Sequence, residues 1–92
     1  MIRQVDHSWE LYDRALNLIP LGTQTYSKAP REALRGLETC YLARGKGGRV
    51  WDVDGNEHID FRNGLGPVTL GYCFPAVDEA VRRRLDEGII FS

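Results

Sequence analysis

The sequence predicts an α+β unit: an N-terminal helix, a long loop, a small three-stranded antiparallel sheet and a second helix. Three observations predict it. Apolar residues recur at helical spacing near both ends of the chain. From about residue 40 to 61, short apolar runs are instead parted by glycines and by Asp54-Gly55-Asn56, the pattern of strands and tight turns. From Leu21 to Glu38 neither period is kept.

The first helix is expected over about 7–18, His7 to Leu18. Tyr12, Ala15, Leu16 and Ile19 form its stripe, with Trp9 near the start, Asp6 as its cap, and Pro20 with Gly22 as its stop. The loop that follows, with Gly22-Thr23-Gln24-Thr25-Tyr26-Ser27-Lys28-Ala29-Pro30 at its centre, needs a surface to lie against, because its backbone groups cannot all bond locally. Strands are expected at Cys40 to Ala43, Arg49 to Val53 and His58 to Phe61, with a turn at Gly45, Gly47 and Gly48. A second glycine-containing loop runs from Asn63 to Gly71. The last helix is expected over about 75–87: Pro75 suits its first turn, Val77, Ala80, Val81 and Leu85 form a buried stripe, and Gly88 suits its C-cap. Asp78 with Arg82, and Glu79 with Arg83, are spaced for ion pairs along it, so Arg82-Arg83-Arg84 reads as a solvated face.

A chain of 92 residues makes at most one small domain, and its 42% hydrophobic content suffices for a core. The net charge of -1 gives no general attraction to nucleic acid or to an anionic membrane. No apolar run suits a bilayer span and Met1-Ile2-Arg3-Gln4 lacks a secretion-signal core, so a cytoplasmic protein with reduced Cys40 and Cys73 is expected. The apolar run Ile89-Ile90-Phe91 directly after a helix predicts that the polypeptide continues into something that covers it. By itself the segment is expected to be marginally stable or self-associating.

The short motifs carry little chemistry alone. Gly45-Lys46-Gly47-Gly48 lacks the Ser or Thr and the following helix of a phosphate loop, and reads as a turn. Gly64-Leu65-Gly66 lacks the third glycine of a dinucleotide fingerprint; it is either an ordinary loop or a place where backbone passes close to a ligand. Asp52, Asp54, Glu57 and Asp60 read as turn-making and solvated acids, and His7 and His58 stand too far apart in sequence for a metal motif. No serine has the setting of an activated nucleophile. Lys28 and Lys46 have no evident apolar pocket. The chain offers no complete catalytic, cofactor-binding or metal-binding set.

Taken in order, the string is similar to the N-terminal region of class III aminotransferases, the fold-type I pyridoxal-phosphate enzymes. It most resembles the branch containing glutamate-1-semialdehyde 2,1-aminomutase. The resemblance rests on Gly45-x-Gly47, Val50-Trp51-Asp52-Val53-Asp54-Gly55-Asn56, Ile59-Asp60-Phe61, Gly66-Pro67, Leu70-Gly71, Pro75-Ala76-Val77 and Ala80. It covers nearly the whole chain but only the opening portion, 1–92, of the family's small domain. It implies a pyridoxal 5'-phosphate enzyme, a homodimer acting on a small-molecule amino donor and a carbonyl acceptor. The aldimine lysine, the aspartate at the ring nitrogen and the phosphate donors would lie beyond residue 92, so the isolated segment is expected to be inactive. The resemblance further implies that Gly64, Leu65 and Gly66 lie near the substrate entrance and that Tyr26, Ser27 and Lys28 are substrate-proximal. This chain has Leu65 where the aminomutases carry an aromatic residue, Thr25-Tyr26-Ser27-Lys28 where they favour Ser-Pro-Val-Arg, and Phe74 in place of a usual histidine. Those departures favour an intermolecular aminotransferase over the alternative, an aminomutase. A second alternative, from a different class, is a non-catalytic interaction module binding through the exposed sheet face.

Overall fold

Val5, Trp9 and Tyr12 lie three or four residues apart, so on a helix they share one face, and all three are buried. In the structure, a computed structural model that describes residues 3–91, that face belongs to α1 (Asp6–Leu16). The Trp9 and Tyr12 rings meet edge to face at 5.4 Å. Cys40 and Tyr41 pack against them. Burial of this kind contributes roughly 1.5–3 kcal/mol for each large apolar side chain. It also pushes the Cys40 thiol up to about 11.

Polar contacts fix where the helix sits. Ser8 is fully buried, and its Oγ accepts from the amides of Cys40 at 2.9 Å and Tyr41 at 3.3 Å while lying 3.0 Å from Thr39 Oγ1. Trp9 Nε1 donates to the Glu38 carbonyl at 2.9 Å. The N-terminus is not capped by Asp6, which is the first helical residue and follows Val5 as N-cap. Instead the Asp54 carboxylate, from the distant hairpin, accepts from the amides of His7 at 2.8 Å and Ser8 at 2.9 Å. A negative group here satisfies two orphan amides and faces the positive end of the helix dipole.

The sheet runs β1 (Leu42–Lys46), β2 (Arg49–Asp52), β3 (Glu57–Ile59) in that spatial order, both pairs antiparallel. β1 begins later than expected. Its Cys40 end is drawn away to Ser8, and a bulge between Leu42 and Arg44 resets the register. Arg44 stacks over Trp51 at 3.8 Å. Gly47 at the first turn forms a two-way backbone pair with Tyr72, 2.9 Å in each direction. Gly45 leaves room for the Tyr72 ring: a Cβ there would stand 2.5 Å from it. Gly71, at φ +84°, would place a Cβ 3.0 Å from Gly47 Cα. Gly45-x-Gly47 and Gly71-Tyr72 are thus two halves of one contact.

Turn acids expected to be solvated are built into the structure. Asp52 is 2% exposed. Its Oδ1 accepts from the amides of Asp54 at 3.1 Å and Asn56 at 2.8 Å, and its Oδ2 from Asn56 Nδ2 at 2.9 Å and His58 Nε2 at 3.0 Å. Arg3 donates to His58 Nδ1 at 2.7 Å; since a guanidinium only donates, the ring proton sits on Nε2, toward Asp52. Of the four acids, Glu57 alone stays on the surface, paired with Arg49.

The loop over 21–38 resolves into single 3₁₀ turns at Pro20–Gly22, Tyr26–Lys28 and Glu32–Leu34. The last helix, α2 (Pro75–Leu85), forms with Pro75 in its first turn, but its stripe is not buried. Val77, Val81 and Leu85 are 46%, 52% and 55% exposed. The described residues span 43 × 31 × 19 Å, so no second layer reaches this face. Arg82 pairs with Glu79 at 3.8 Å rather than with Asp78, and Arg83 pairs with Glu79 at 3.5 Å. Asp86 is the C-cap, and Gly88 takes its positive φ two residues later. Ile89, Ile90 and Phe91 stay exposed. Among the described residues no helix is long and apolar enough to cross a membrane.

Three predictions arise here. Asp54→Ala should lower unfolding free energy by about 1 kcal/mol in urea titrations, and Asp54→Asn by less, because one acceptor oxygen survives. Gly71→Ala should cost about 1–3 kcal/mol and raise amide exchange at Gly47 and Tyr72 together, since a left-handed φ and a backbone contact are both violated. The third concerns pH. Arg35 holds Asp13 below its ordinary 3.8 and Arg31 holds Glu38 below 4.5. Burial pushes Asp52 up, but the hydrogen bonds from Asn56 and His58 outweigh it, and Asp52 also ends below 3.8. Groups lowered by folding stabilise fully above their unfolded values and lose that contribution as pH falls through the folded ones. The thermal midpoint should hold from about pH 7 to about pH 5 and drop below about pH 4; a flat profile down to about pH 2.5 would contradict this.

Candidate functional site

Directly after β3, Asp60 makes a second acid-centred turn. Its Oδ1 accepts from the amides of Arg62 at 2.8 Å and Asn63 at 3.1 Å. The Arg62 amide is the main reason its carboxyl lies below the usual range; burial opposes this, and Asn63 and Tyr72 add to it. The chain then turns left-handed for four residues: Asn63, Gly64, Leu65 and Gly66 have φ of 55°, 59°, 70° and 124°. A leucine in that region costs about 1–2 kcal/mol. Local bonds hold it there: Leu65 N–H to Arg62 O at 3.0 Å, Gly66 N–H to Asn63 O at 2.8 Å, and Thr69 Oγ1 to Gly66 O at 2.8 Å. Gly64 and Gly66 both hold a positive φ that a side chain rarely adopts, and Gly66 departs further, at 124°. The result is a protruding tip that carries the exposed Leu65 side chain. Strained backbone of this sort gathers at ligand-contacting loops.

Between this loop and the first hairpin turn lies an open groove of ≈ 420 Å³, lined by Gly47, Gly48, Asp60, Asn63, Val68 and Thr69 among others. Asp60 is its one ionisable lining group, so the groove is negative and rich in backbone. Such a wall suits donors and cations and opposes a phosphate.

Tyr26, Ser27 and Lys28 occupy one 3₁₀ turn elsewhere in the chain. Tyr26 is 84% exposed, Ser27 Oγ lies 3.4 Å from Thr25 Oγ1, and Lys28 is half-buried. Among the described residues no hydrogen bond joins this turn to Gly64–Gly66. Neither Lys28 nor Lys46 lines the groove. A pyridoxal phosphate needs a lysine beside an anion-binding cradle, and this pair of exposed or half-exposed lysines with an acidic groove does not fit it. Among the described residues no three His, Cys, Asp or Glu side chains are gathered for a metal.

Sequence reasoning read Asp60 as a turn-making, solvated acid but missed Asn63 and the site this turn builds, though an acid two and three residues before the amides it accepts is a local turn signal. It also missed Tyr72, whose pairing with Gly47 has no local signature.

Residues 32–92 match the family model for aminotransferase class-III. Glutamate-1-semialdehyde 2,1-aminomutase 2 of Geobacillus thermodenitrificans is 34% identical over 91 residues, covering 99% of this chain and 21% of that protein. A transaminase with PLP bound superimposes with a TM-score of 0.80 at 30% identity, over 98% of this chain and 20% of that one. An omega-transaminase from Sphaerobacter thermophilus gives 0.74 at 31%, over 92% and 18%. The chain therefore spans about a fifth of the length of the curated relatives it matches. Its helix, loop, three-stranded sheet and second helix are the N-terminal architecture of a fold-type I pyridoxal-phosphate enzyme. By the match along residues 32–92 and the shared fold around it, the chain belongs to the class III aminotransferases.

Proposed function

We propose that these residues are the N-terminal segment of a pyridoxal-phosphate-dependent enzyme of the glutamate-1-semialdehyde 2,1-aminomutase type, which moves an amino group within one substrate. The observation that carries this reading is the 34% identity to an aminomutase along 99% of the chain. It displaces the preference for an intermolecular aminotransferase drawn from Leu65, Thr25–Lys28 and Phe74. Those departures support that aminotransferase as the second reading, together with the likeness to a transaminase with PLP bound.

In either reading the lysine and the phosphate donors come from polypeptide outside these residues, and the working form is a homodimer. The segment's own part is shape. Its scaffold holds two exposed elements, the Gly64-Leu65-Gly66 tip and the Tyr26-Ser27-Lys28 turn, as substrate-proximal walls. The negative Asp60 groove and the exposed faces of α2 meet other parts of the enzyme rather than the cofactor phosphate.

The test is made on the full-length protein loaded with pyridoxal 5'-phosphate. Conversion of glutamate-1-semialdehyde to the isomer with its amino group on carbon 1, without an added amino donor, is the expected outcome. Turnover only when a separate donor and acceptor are both present would select the second reading, and no amino-group transfer with either would remove both. Leu65→Trp should change the kcat/KM ratio between a small and a bulky substrate about ten-fold, with cofactor content unchanged. An unchanged ratio would take Leu65 out of the substrate wall.

A further inference from the structure

Among the described residues, the loop that carries Tyr26, Ser27 and Lys28 is hydrogen-bonded to the rest of the fold at both ends and not between, with Lys28, Ala29 and Pro30 half-buried along it. At its start, the Tyr41 hydroxyl donates to the Gly22 carbonyl at 2.7 Å. Gly22 lies so close to Tyr12 that a Cβ there would stand 2.8 Å from the ring. The Tyr41 phenol is a donor at neutral pH, and burial raises it further above its ordinary value. At the far end, Arg35 grips Asp13 of α1 through both oxygens, at 2.8 and 3.2 Å, and Glu32 at 2.5 and 3.0 Å. Its guanidinium also lies 4.7 Å from the centre of the Trp9 ring. Arg31 adds a two-oxygen contact to Glu38, with Nη2 at 2.5 Å.

Between these anchors, the strap over 23–30 bonds only to itself among the described residues. Thr23 Oγ1 donates to Gln24 Oε1, Lys28 N–H to Thr25 O and Ala29 N–H to Tyr26 O. A span with no lateral bonds takes its position from its ends. Both ends are tied to the Trp9 and Tyr12 surface of α1, the most buried part of the fold.

The geometry points to Tyr41 and Arg35 as positioning residues: they set the pose in which the strap presents Tyr26, Ser27 and Lys28 to substrate. Neither has to touch substrate. This role rests on the reading of those three residues as a substrate wall. A bidentate guanidinium grip and a phenol-to-carbonyl bond are directional contacts, so losing either widens the range of strap poses rather than unfolding the sheet.

The test uses the full-length enzyme with Tyr41→Phe, which removes one hydroxyl and keeps the ring, and Arg35→Lys, which keeps the charge and loses the fork. Two quantities are read: hydrogen exchange at the Lys28 and Ala29 amides, and steady-state kinetics with saturating cofactor. Exchange about five-fold faster, with KM raised about five-fold and kcat held within about two-fold, is the expected result. Unchanged exchange in both variants would overturn the anchoring, and faster exchange with unchanged KM would overturn the positioning role. A fall in kcat that merely tracks a lowered thermal midpoint would assign both residues to stability and overturn the proposal as well. If Arg35→Lys does not fold, Tyr41→Phe decides alone. A wild-type enzyme without amino-group transfer removes the substrate-wall reading, and this role with it. That failure is distinct from a failed anchor, because strap exchange is read in the same samples.

Discussion

The carboxylate of Asp54 takes the first free amides of α1, and the placement of the rest follows from that junction. It works because Asp52, one pleat earlier, is buried with both oxygens filled by donors from its own turn and from His58. A buried carboxylate left short of donors would be costly, so the turn has essentially one acceptable geometry. That geometry aims Asp54 at the helix. With the helix held there, Ser8 and Trp9 meet the backbone of residues 38 to 41, and Val53 N–H reaches Tyr41 O at 3.1 Å to close the circuit back to the hairpin.

The same device recurs at Asp60, with a different outcome. There the acid-centred turn ends in a left-handed run that throws Leu65 outward, while the Gly47–Tyr72 pair holds the far side of the groove. Two ordered turns thus leave a gap between them that neither fills. The thinness of the molecule, 19 Å in its smallest dimension, leaves the apolar side of α2 and the Ile89–Phe91 stretch without a cover of their own. Both are exposed apolar surfaces, and α2 begins four residues after Gly71 of the groove wall.

The residues that carry the family likeness have physical duties in this scaffold. Asp52, Asp54 and Asn56 make the capping turn, Gly45 and Gly47 admit Tyr72, and Asp60 starts the loop. The departures fall on Thr25, Tyr26, Ser27, Lys28, Leu65 and Phe74, all exposed except the half-buried Lys28.

Both helices, the three strands in their order and the turn at Asp54-Gly55-Asn56 were legible from the residues alone, because each depends on spacing and turn chemistry within a dozen residues. Helix ends and strand starts moved by a few residues: α1 ends at Leu16 in local turn bonds to Arg14 and Ala15, whereas β1 starts at Leu42 because the Cys40 amide is drawn to Ser8. The folded arrangement made residue 54, rather than residue 6, the cap of α1. It also decided that Asp52 is buried and that Gly45 exists for a ring at residue 72. The cap and the glycine contact join residues 47 and 27 positions apart, while Asp52 is filled by donors two to six positions away; a carboxylate or glycine looks the same in sequence whether its partner is water or an amide. The exposed stripe of α2 is the converse: its helical period is set locally, but whether it is covered depends on polypeptide that periodicity cannot see.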